Sequence, residues 1–362
     1  MDSNGNFVWA KSIGGVYHDI ANSITLDVSG NLYATGYFEQ TVDFDPGSGT
    51  SNLISKGSQD IFILKMDSSG NYIWAKGMGS TKGEIAYSIA LDYNNNVYST
   101  GYFSDTIDFD PGNGIQNIIA TGVRDIYILK LNSDGNFVWA KQVGGMDGAE
   151  ARDITTDRYG KIYLTGYFSG TVDFDPGIGI CNKTVVIGGS SDIFILKLDS
   201  NGNFNWVSQT GANSNESGIS LTVDLSGYVY TTGYFDGTVD FNPGIGTYNL
   251  TTNGNRDVFI QKLNQNNVGI SPISIHDDSQ LLKIYPNPNK GIFTLEININ
   301  SNFTKTYHLE VINSLGKLIH QENITFNSTY KNQMNFKDLS KGFYFFRLSN
   351  EDTVLFKRFV ID

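Results

Sequence analysis

Apolar and polar positions alternate with a period of two along most of the chain. In Asp60-Ile61-Phe62-Ile63-Leu64-Lys65, residues Ile61, Ile63 and Lys65 fall on one face and Phe62 and Leu64 on the other, in a run rich in β-branched and aromatic side chains. Such runs read as strands. Turn signals separate them: Asp27-Val28-Ser29-Gly30-Asn31, Asp67-Ser68-Ser69-Gly70-Asn71 and Asp199-Ser200-Asn201-Gly202-Asn203 place Gly and Asn where positive φ is wanted. No stretch combines amphipathic helical spacing with capping residues.

The strands recur as a set. Thr35–Phe38 (Thr-Gly-Tyr-Phe) with Thr41–Gly47 (Thr-Val-Asp-Phe-Asp-Pro-Gly) returns at Thr100–Phe103 with Thr106–Gly112, then at Thr165–Phe168 with Thr171–Gly177. A last copy, Thr232–Phe235 with Thr238–Gly244, reads Asp-Phe-Asn-Pro-Gly, and the spacings are 65, 65 and 67 residues. The Asp-Ile-Phe-Ile-Leu-Lys run of Asp60 has variants starting at Asp125, Asp192 and Asp257. Trp74, Trp139 and Trp206 follow the first three, and a related Trp9 stands at the start.

Each period predicts four antiparallel strands: a (Ser23–Asp27), b (Leu32–Phe38), c (Asp60–Met66) and d (Tyr72–Lys76). A four-stranded antiparallel sheet returning at fixed period predicts an all-β fold, a β-propeller of four-stranded blades, because one such unit cannot bury both faces alone. The fourth unit has strands a (Ser220–Asp224), b (Tyr228–Phe235) and c (Asp257–Leu263), but no Trp strand follows. Asn6-Phe7-Val8-Trp9-Ala10-Lys11 can supply it. The expectation is a four-bladed ring over residues 1–267, closed by its N-terminal strand so that no edge stays open. The alternative is a piece of a larger array.

Antiparallel order puts the short a–b and c–d turns at one end. The b–c connections and the variable d–a loops (12–22, 77–87, 142–152 and 209–219) emerge at the other, where binding is expected.

Composition narrows the function classes. The 362 residues include 40 Gly and 13% aromatics but only 17% charged residues, as suits an all-β protein with many tight turns. One cysteine, Cys181, excludes a disulfide framework within the chain. No apolar run approaches the ~20 residues of a membrane helix, so no transmembrane segment is expected. The net charge of −12 is uneven: residues 1–274 carry 15 Lys+Arg against 28 Asp+Glu (−13), and residues 275–362 carry 10 against 9 (+1). The acidic first region repels nucleic acid and anionic membrane surfaces, leaving divalent cations and basic ligands.

After Asn267 the repeats stop. A Ser/Pro/Ile linker over 268–280 leads into alternating strands with Gly and Asn turns, a small β-sandwich over 281–362. The motifs of this module come in a set order: Tyr285-Pro286-Asn287-Pro288, then Gly291-Ile292-Phe293, then Leu315-Gly316-Lys317, then Leu339-Ser340-Lys341-Gly342-Phe343-Tyr344, ending in a basic strand with Lys357. Pro286 and Pro288 fix an extended lead-in without ladder donors, and Gly342 is expected to permit a tight turn before the final hairpin.

That order resembles the type A sorting domain of the type IX secretion system. The resemblance implies a partner in the type IX machinery and export in a Bacteroidota-type bacterium. It also implies removal of the domain, with release or attachment at the outer-membrane surface. Cargo of that system first crosses the inner membrane on a signal peptide, whereas Met1–Asn6 has neither its basic nor its apolar region. The start is then expected to be internal to a longer gene, or to follow a removed leader.

Residues 5–264 resemble the bacterial SBBP-type β-propeller repeat, through Asp192–Leu198 (Asp-Ile-Phe-Ile-Leu-Lys-Leu), Gly135–Lys141 (Gly-Asn-Phe-Val-Trp-Ala-Lys) and Asp27–Gly36. This implies a fold and no particular activity.

Candidate chemistry is sparse. Asp43 and Asp45, Asp108 and Asp110, Asp173 and Asp175, and Asp240 and Asn242 stand two apart, so each pair can share a face and offer hard oxygens to calcium. The same residues equally fit turn chemistry, with Asp accepting backbone N–H bonds beside Pro and Gly. Trp9, Trp74, Trp139 and Trp206 suit packing between blades better than sugar stacking. Glu84, Glu150 and Glu216, in the d–a loops, are the acids to test for catalysis. The expected function is a secreted or surface binding or adhesion module for a glycan or protein. The alternatives are a propeller glycoside hydrolase and a structural segment of a larger surface protein.

Overall fold

The computed structural model describes residues 5–186, 190–244, 246–265, 282–298, 304–313, 317–349 and 354–362. The chain divides into two compact units, Met1–Ser271 and Pro272–Asp362. No helix among the described residues is long and apolar enough to cross a membrane. The linker expected over 268–280 lies outside the described residues.

The first unit is a tandem array. Repeat one holds β1 (Ile20–Leu26), β2 (Leu32–Phe38), β3 (Thr41–Asp43), β4 (Asn52–Ile54), β5 (Asp60–Met66) and β6 (Tyr72–Met78). Repeat two holds β7 (Ile85–Leu91), β8 (Val97–Phe103), β9 (Thr106–Asp108), β10 (Asn117–Ile119), β11 (Asp125–Leu131) and β12 (Phe137–Gly145). Repeat three holds β13 (Ala149–Thr156), β14 (Ile162–Phe168), β15 (Thr171–Asp173), β16 (Asn182–Thr184), β17 (Asp192–Leu198) and β18 (Phe204–Thr210). Repeat four holds β19 (Ser217–Val223), β20 (Val229–Phe235), β21 (Thr238–Asp240), β22 (Asn249–Thr251) and β23 (Asp257–Leu263).

Strands β1-β2-β5-β6 pair antiparallel in that order, as do β7-β8-β11-β12 and β13-β14-β17-β18. Between strands b and c each repeat adds a two-stranded ribbon, such as β3 with β4, which three-residue strands hide from periodicity. The turn predictions hold at atomic detail. Asp27 Oδ1 accepts the N–H groups of Ser29 and Asn31 at 2.9 Å each, and Asp67 does the same for Ser69 and Asn71 at 2.8 Å.

Closure by the N-terminal strand is not formed. The fourth sheet stays three-stranded, β19-β20-β23, and residues 6–13 join no ladder. Trp9 instead packs over Gly70 and donates its Nε1–H to Ser68 O at 3.2 Å. Trp74 does the same one repeat on, over Gly135 and onto Ser133 O at 3.3 Å. The segment is therefore held by the sheet that follows it in sequence.

The Thr-Gly-Tyr-Phe glycine has a steric cause. Strand a bulges opposite it, between Ala21 and Ser23, Ala86 and Ser88, Ala151 and Asp153, and Gly218 and Ser220. The bulge aims a carbonyl at the glycine, so a Cβ on Gly36, Gly101, Gly166 or Gly233 would sit 1.8, 1.9, 1.9 or 2.0 Å from Ile20, Ile85, Glu150 or Ser217 O. No side chain fits there.

Strand c lies at the heart of the packing. Ile61 and Ile63 face Ala86 and Ile89 of the next sheet, and Ile126 and Ile128 face Ala151 and Ile154 in turn.

The second unit is a β-sandwich. Its strands are β24 (Leu282–Tyr285), β25 (Ile292–Asn298), β26 (Lys305–Asn313), β27 (Leu318–Phe326), β28 (Thr329–Asn335), β29 (Gly342–Ser349) and β30 (Val354–Ile361). Sheets β24-β25-β28 and β27-β26-β29-β30 enclose Phe293, Leu295, Val311, Phe346 and Phe359. Gly342 opens β29 with φ at +158°, opposite Ile361, directly after the turn in which Leu339 N–H donates to Phe336 O at 3.1 Å.

Gly101→Ala is expected to destabilise the repeat unit by roughly 1–3 kcal/mol, as overpacking a tight site does. Denaturant unfolding of the full chain measures this, and an unchanged midpoint would show that the bulge relaxes to admit the methyl.

Candidate functional site

Each Asp-Phe-Asp-Pro-Gly motif closes the ribbon between strands b and c. Asp43 Oδ1 accepts the N–H groups of Asp45 at 3.1 Å and Ser51 at 2.8 Å, and Asp45 Oδ1 accepts that of Gly47 at 2.8 Å. Asp108 accepts from Asp110 and Gln116, and Asp110 from Gly112. Asp173 accepts from Asp175 and Cys181, and Asp175 from Gly177. In the fourth copy Asp240 accepts from Asn242 and Tyr248, and Asn242 from Gly244. The N–H groups of Tyr248 and Asn242 hold the Asp240 carboxyl below the usual carboxylate range. All eight positions thus make one and the same turn. Among the described residues, no group of three or more His, Cys, Asp or Glu side chains gathers around a common point that could hold a metal.

The frame is constant and its tips are not. Ile115, Ile178, Ile180 and Tyr248 stand exposed on the ribbon tips, where the first copy carries Ser48, Thr50 and Ser51. In the d–a loops Val16, Tyr17 and Met146 are exposed as well. Below the tips, clefts open where the ribbon of one repeat meets strand d of the repeat before it. One of about 400 Å³ is lined by Thr121, Lys141, Gln142, Asp173 and Asp175, and one of about 330 Å³ by Lys183, Gln209, Thr210 and Asp240. Carboxylate, amide and ammonium groups in one cleft can hydrogen-bond a hydroxyl-rich or peptide ligand.

The catalytic candidates are not on this surface. Glu84, Glu150 and Glu216 are buried. Glu84 accepts from Ser80 N at 2.9 Å and from Ser80 Oγ at 2.6 Å. Glu150 lies between Arg124 Nη1 at 2.5 Å and Arg152 Nη2 at 2.9 Å, and Tyr87 OH donates to it at 3.3 Å. The two guanidinium groups stack in turn on Tyr102 and Tyr87, at 4.4 and 4.2 Å from the ring centres. Periodicity could not reveal this cluster, because Arg124 recurs only as Arg256 and Arg152 has no arginine counterpart in the other copies. Glu216 Oε2 accepts from Ala212 N at 3.2 Å, while its Oε1 is buried without a partner. Burial pushes its carboxyl up to about 7, with the nearby Asp192 and Asp236 charges adding to the rise. The Trp set is packing: Trp74 meets Tyr33 edge-on at 6.1 Å, and Trp139 and Trp206 meet Tyr98 and Tyr163 likewise.

In the sandwich, the Tyr285-Pro286-Asn287-Pro288 motif is fastened to the last strand. Val360 N–H donates to Asn287 Oδ1 at 2.9 Å, and the Asn289 N–H and Nδ2–H both donate to Val360 O at 3.0 Å. Asn289 Oδ1 accepts from Gly291 N at 2.7 Å. Asn289 is buried, joins the motif to the terminal strand and escaped the sequence reading. Tyr344 stacks on Phe359 at 5.6 Å and donates to Ser340 O at 2.8 Å. Leu339 packs against the core, Lys317 N–H donates to Asn313 Oδ1 at 2.9 Å, and Lys357 pairs with Phe346 across the ladder. Gly316 lies outside the described residues.

Residues 283–362 match the family model of the secretion system C-terminal sorting domain. The match indicates export through the type IX secretion system to a secreted or cell-surface state. The chain is also similar to curated proteins. An uncharacterized WD repeat-containing protein of Acanthamoeba polyphaga mimivirus is 25% identical over 252 residues, covering 63% of this chain and 18% of the relative. The regulatory protein FlaEY of Caulobacter vibrioides is 24% identical over 179 residues, covering 48% of this chain and 18% of the relative. The chain thus spans about a fifth of the length of these curated relatives. The first of them is consistent with a β-repeat fold.

Two outcomes follow from the buried groups. The Glu216 carboxyl binds its proton more tightly folded (about 7) than at its ordinary value of 4.5. Its contribution to stability is full below 4.5 and lost as pH rises through about 7. Melting midpoints should therefore fall between pH 5 and pH 7.5, and Glu216→Gln should flatten that fall; an unaltered slope in the variant would assign it to other groups. Asn289→Ala should cost the sandwich roughly 1–3 kcal/mol, the penalty of unpairing buried backbone groups, read as an earlier transition in denaturant unfolding.

Proposed function

We propose that the chain is a secreted or surface-displayed binding or adhesion module: an SBBP-type β-propeller array delivered by its C-terminal sorting domain. The observation that carries this reading is the contrast at the ribbon end of the array. Four superimposable turns hold a rigid frame, and the residues projecting from that frame differ from copy to copy and are exposed. A surface that repeats its scaffold and varies its tips suits recognition better than a single reaction. The ligand is a glycan or protein that meets several tips and the clefts beneath them, so that weak contacts add through multivalency. Burial and pairing of Glu84, Glu150 and Glu216 weigh against the hydrolase alternative.

Ile178→Ser with Ile180→Ser tests it. Both side chains are exposed, so the fold is expected to keep its stability within about 0.5 kcal/mol. Retention of the full chain on a panel of immobilised polysaccharides and surface proteins should drop about tenfold or more. Equal retention of variant and wild type, or turnover of any of these polysaccharides, would count against a binding role for this end.

A further inference from the structure

The bulge in strand a has a second effect besides excluding a Cβ from the facing glycine. In each of the four repeats it drops one residue out of the ladder: Asn22, Tyr87, Arg152 and Ile219. A bulge re-aims the side chain it extrudes. The backbone feature is constant, and the extruded side chain differs in every copy. Where the second repeat meets the third, two of these side chains come together: Arg152 stacks on Tyr87, and Tyr87 OH donates to Glu150 at 3.3 Å.

Glu150 holds two guanidinium groups at this junction. Its Oε1 binds Arg124 Nη1 at 2.5 Å and its Oε2 binds Arg152 Nη2 at 2.9 Å. The Glu150 side chain is 3% exposed, whereas that of Arg124 is 47% and that of Arg152 is 30%. One guanidinium is enough to compensate a buried carboxylate, so the second leaves a positive charge open to water. Arg152 Nε is buried without a partner. Arg124 lies over Tyr102, and Arg152 lies over Tyr167 as well as Tyr87, which fixes both guanidinium planes. Burial first, and then the Glu150 charge, raises the Tyr87 and Tyr167 hydroxyls, so both stay protonated and able to donate. Glu84 also acts on Tyr102, but burial raises its own carboxyl and Ser80 Oγ binds it.

The fourth repeat supplies a contrast. Arg256, the counterpart of Arg124, stacks on Tyr234 and pairs with Asp236 at 3.1 Å. There one guanidinium meets one carboxylate, and no charge is left over.

We propose that Arg124 and Arg152, positioned by Glu150, bind the carboxylate of an acidic polysaccharide. The proposal rests on the binding role argued above, but it uses a different surface from the ribbon tips. A planar guanidinium matches a carboxylate in two-point contact. The site offers N–H and O–H donors, and its one carboxylate is already engaged. A uronic acid residue brings carboxylate, ring and hydroxyl oxygens to such donors. A peptide main chain would bring N–H groups that need acceptors instead. Residues 1–274 carry 15 Lys+Arg against 28 Asp+Glu, a field that repels a dense polyanion such as nucleic acid. A glycan with one carboxylate on each acidic sugar spreads its charge more thinly.

Affinity electrophoresis of the full chain tests this, in gels holding polygalacturonate, alginate or hyaluronate, each also as its methyl ester. At least one uronate should retard the chain, its ester should not, and added salt should weaken the retardation. Arg124→Gln and Arg152→Gln should each weaken binding about tenfold or more, while Arg256→Gln leaves it unchanged. Melting midpoints check that the variants fold, and the ester comparison needs no variant at all. Ile178→Ser with Ile180→Ser should leave uronate binding intact, so failure at this site and failure at the tips are read separately. The proposal is overturned if none of the three uronates retards the chain, or if an ester binds as well as its acid. It is also overturned if Arg124→Gln binds like wild type, or if polyglutamate is bound with the same dependence on Arg124.

Discussion

A four-stranded sheet with apolar side chains on both faces cannot stand alone in water, and that constraint shapes the whole first unit. Strand c is the place where it acts. Its residues alternate toward the sheet before and the sheet after, so each Ile or Phe removed from water contributes about 1.5–3 kcal/mol only if a neighbour is present. The polar contacts reinforce the order of stacking, because Trp of strand d and Lys of strand c both reach forward to a carbonyl in the following c–d turn. Apolar burial supplies the drive for stacking. The directed hydrogen bonds supply the register.

What was legible in the sequence followed from how local the cause is. Period-two alternation and Asx turns act over a few residues, so strands b and c and the turns at Asp27 and Asp67 could be placed from the chain alone. The ribbons β3–β4 were not, since three residues carry almost no periodic signal. The N-terminal strand departs from expectation for a different reason. Its sequence fits strand d, but a strand's sequence does not say which of two edges it will meet, and Trp9 is held by the turn at Ser68. At the site, the role of each Asp in Asp-Phe-Asp-Pro-Gly could be weighed only between two options, and the N–H groups converging on Asp43 and Asp45 favour the turn. Glu84, Glu150 and Glu216 looked like loop acids open to substrate. Their burial depends on Ser80, on Arg124 and Arg152, and on Ala212, which no spacing rule connects to them.

Those carboxylates matter for the surface above them. Asp60 at the start of strand c accepts from Lys56 N at 2.9 Å, and burial raises its carboxyl; Asp192 is raised likewise. Together with Glu84 and Glu216 they pin the end of the b–c connection and the d–a loop beside it to the sheet ends in the first and third repeats. Buried, hydrogen-bonded carboxylates of this kind cost desolvation, yet they fix loop positions that apolar contacts would leave free to slide. Exposed tips can then vary without disturbing the frame that presents them.

The second unit solves a different problem with the same elements. The motifs of the sorting domain are spread along the chain from Tyr285 to Lys357, yet the fold draws the first of them onto the last strand. Asn287 and Asn289 do this, because their amides bind the backbone around Val360. The register of β29 with β30 then sets where Tyr344 and Lys357 stand relative to that junction. The order of motifs along the chain is thus a consequence of one compact ladder, and a segment carrying only some of them would lack the partner strand on which the others depend.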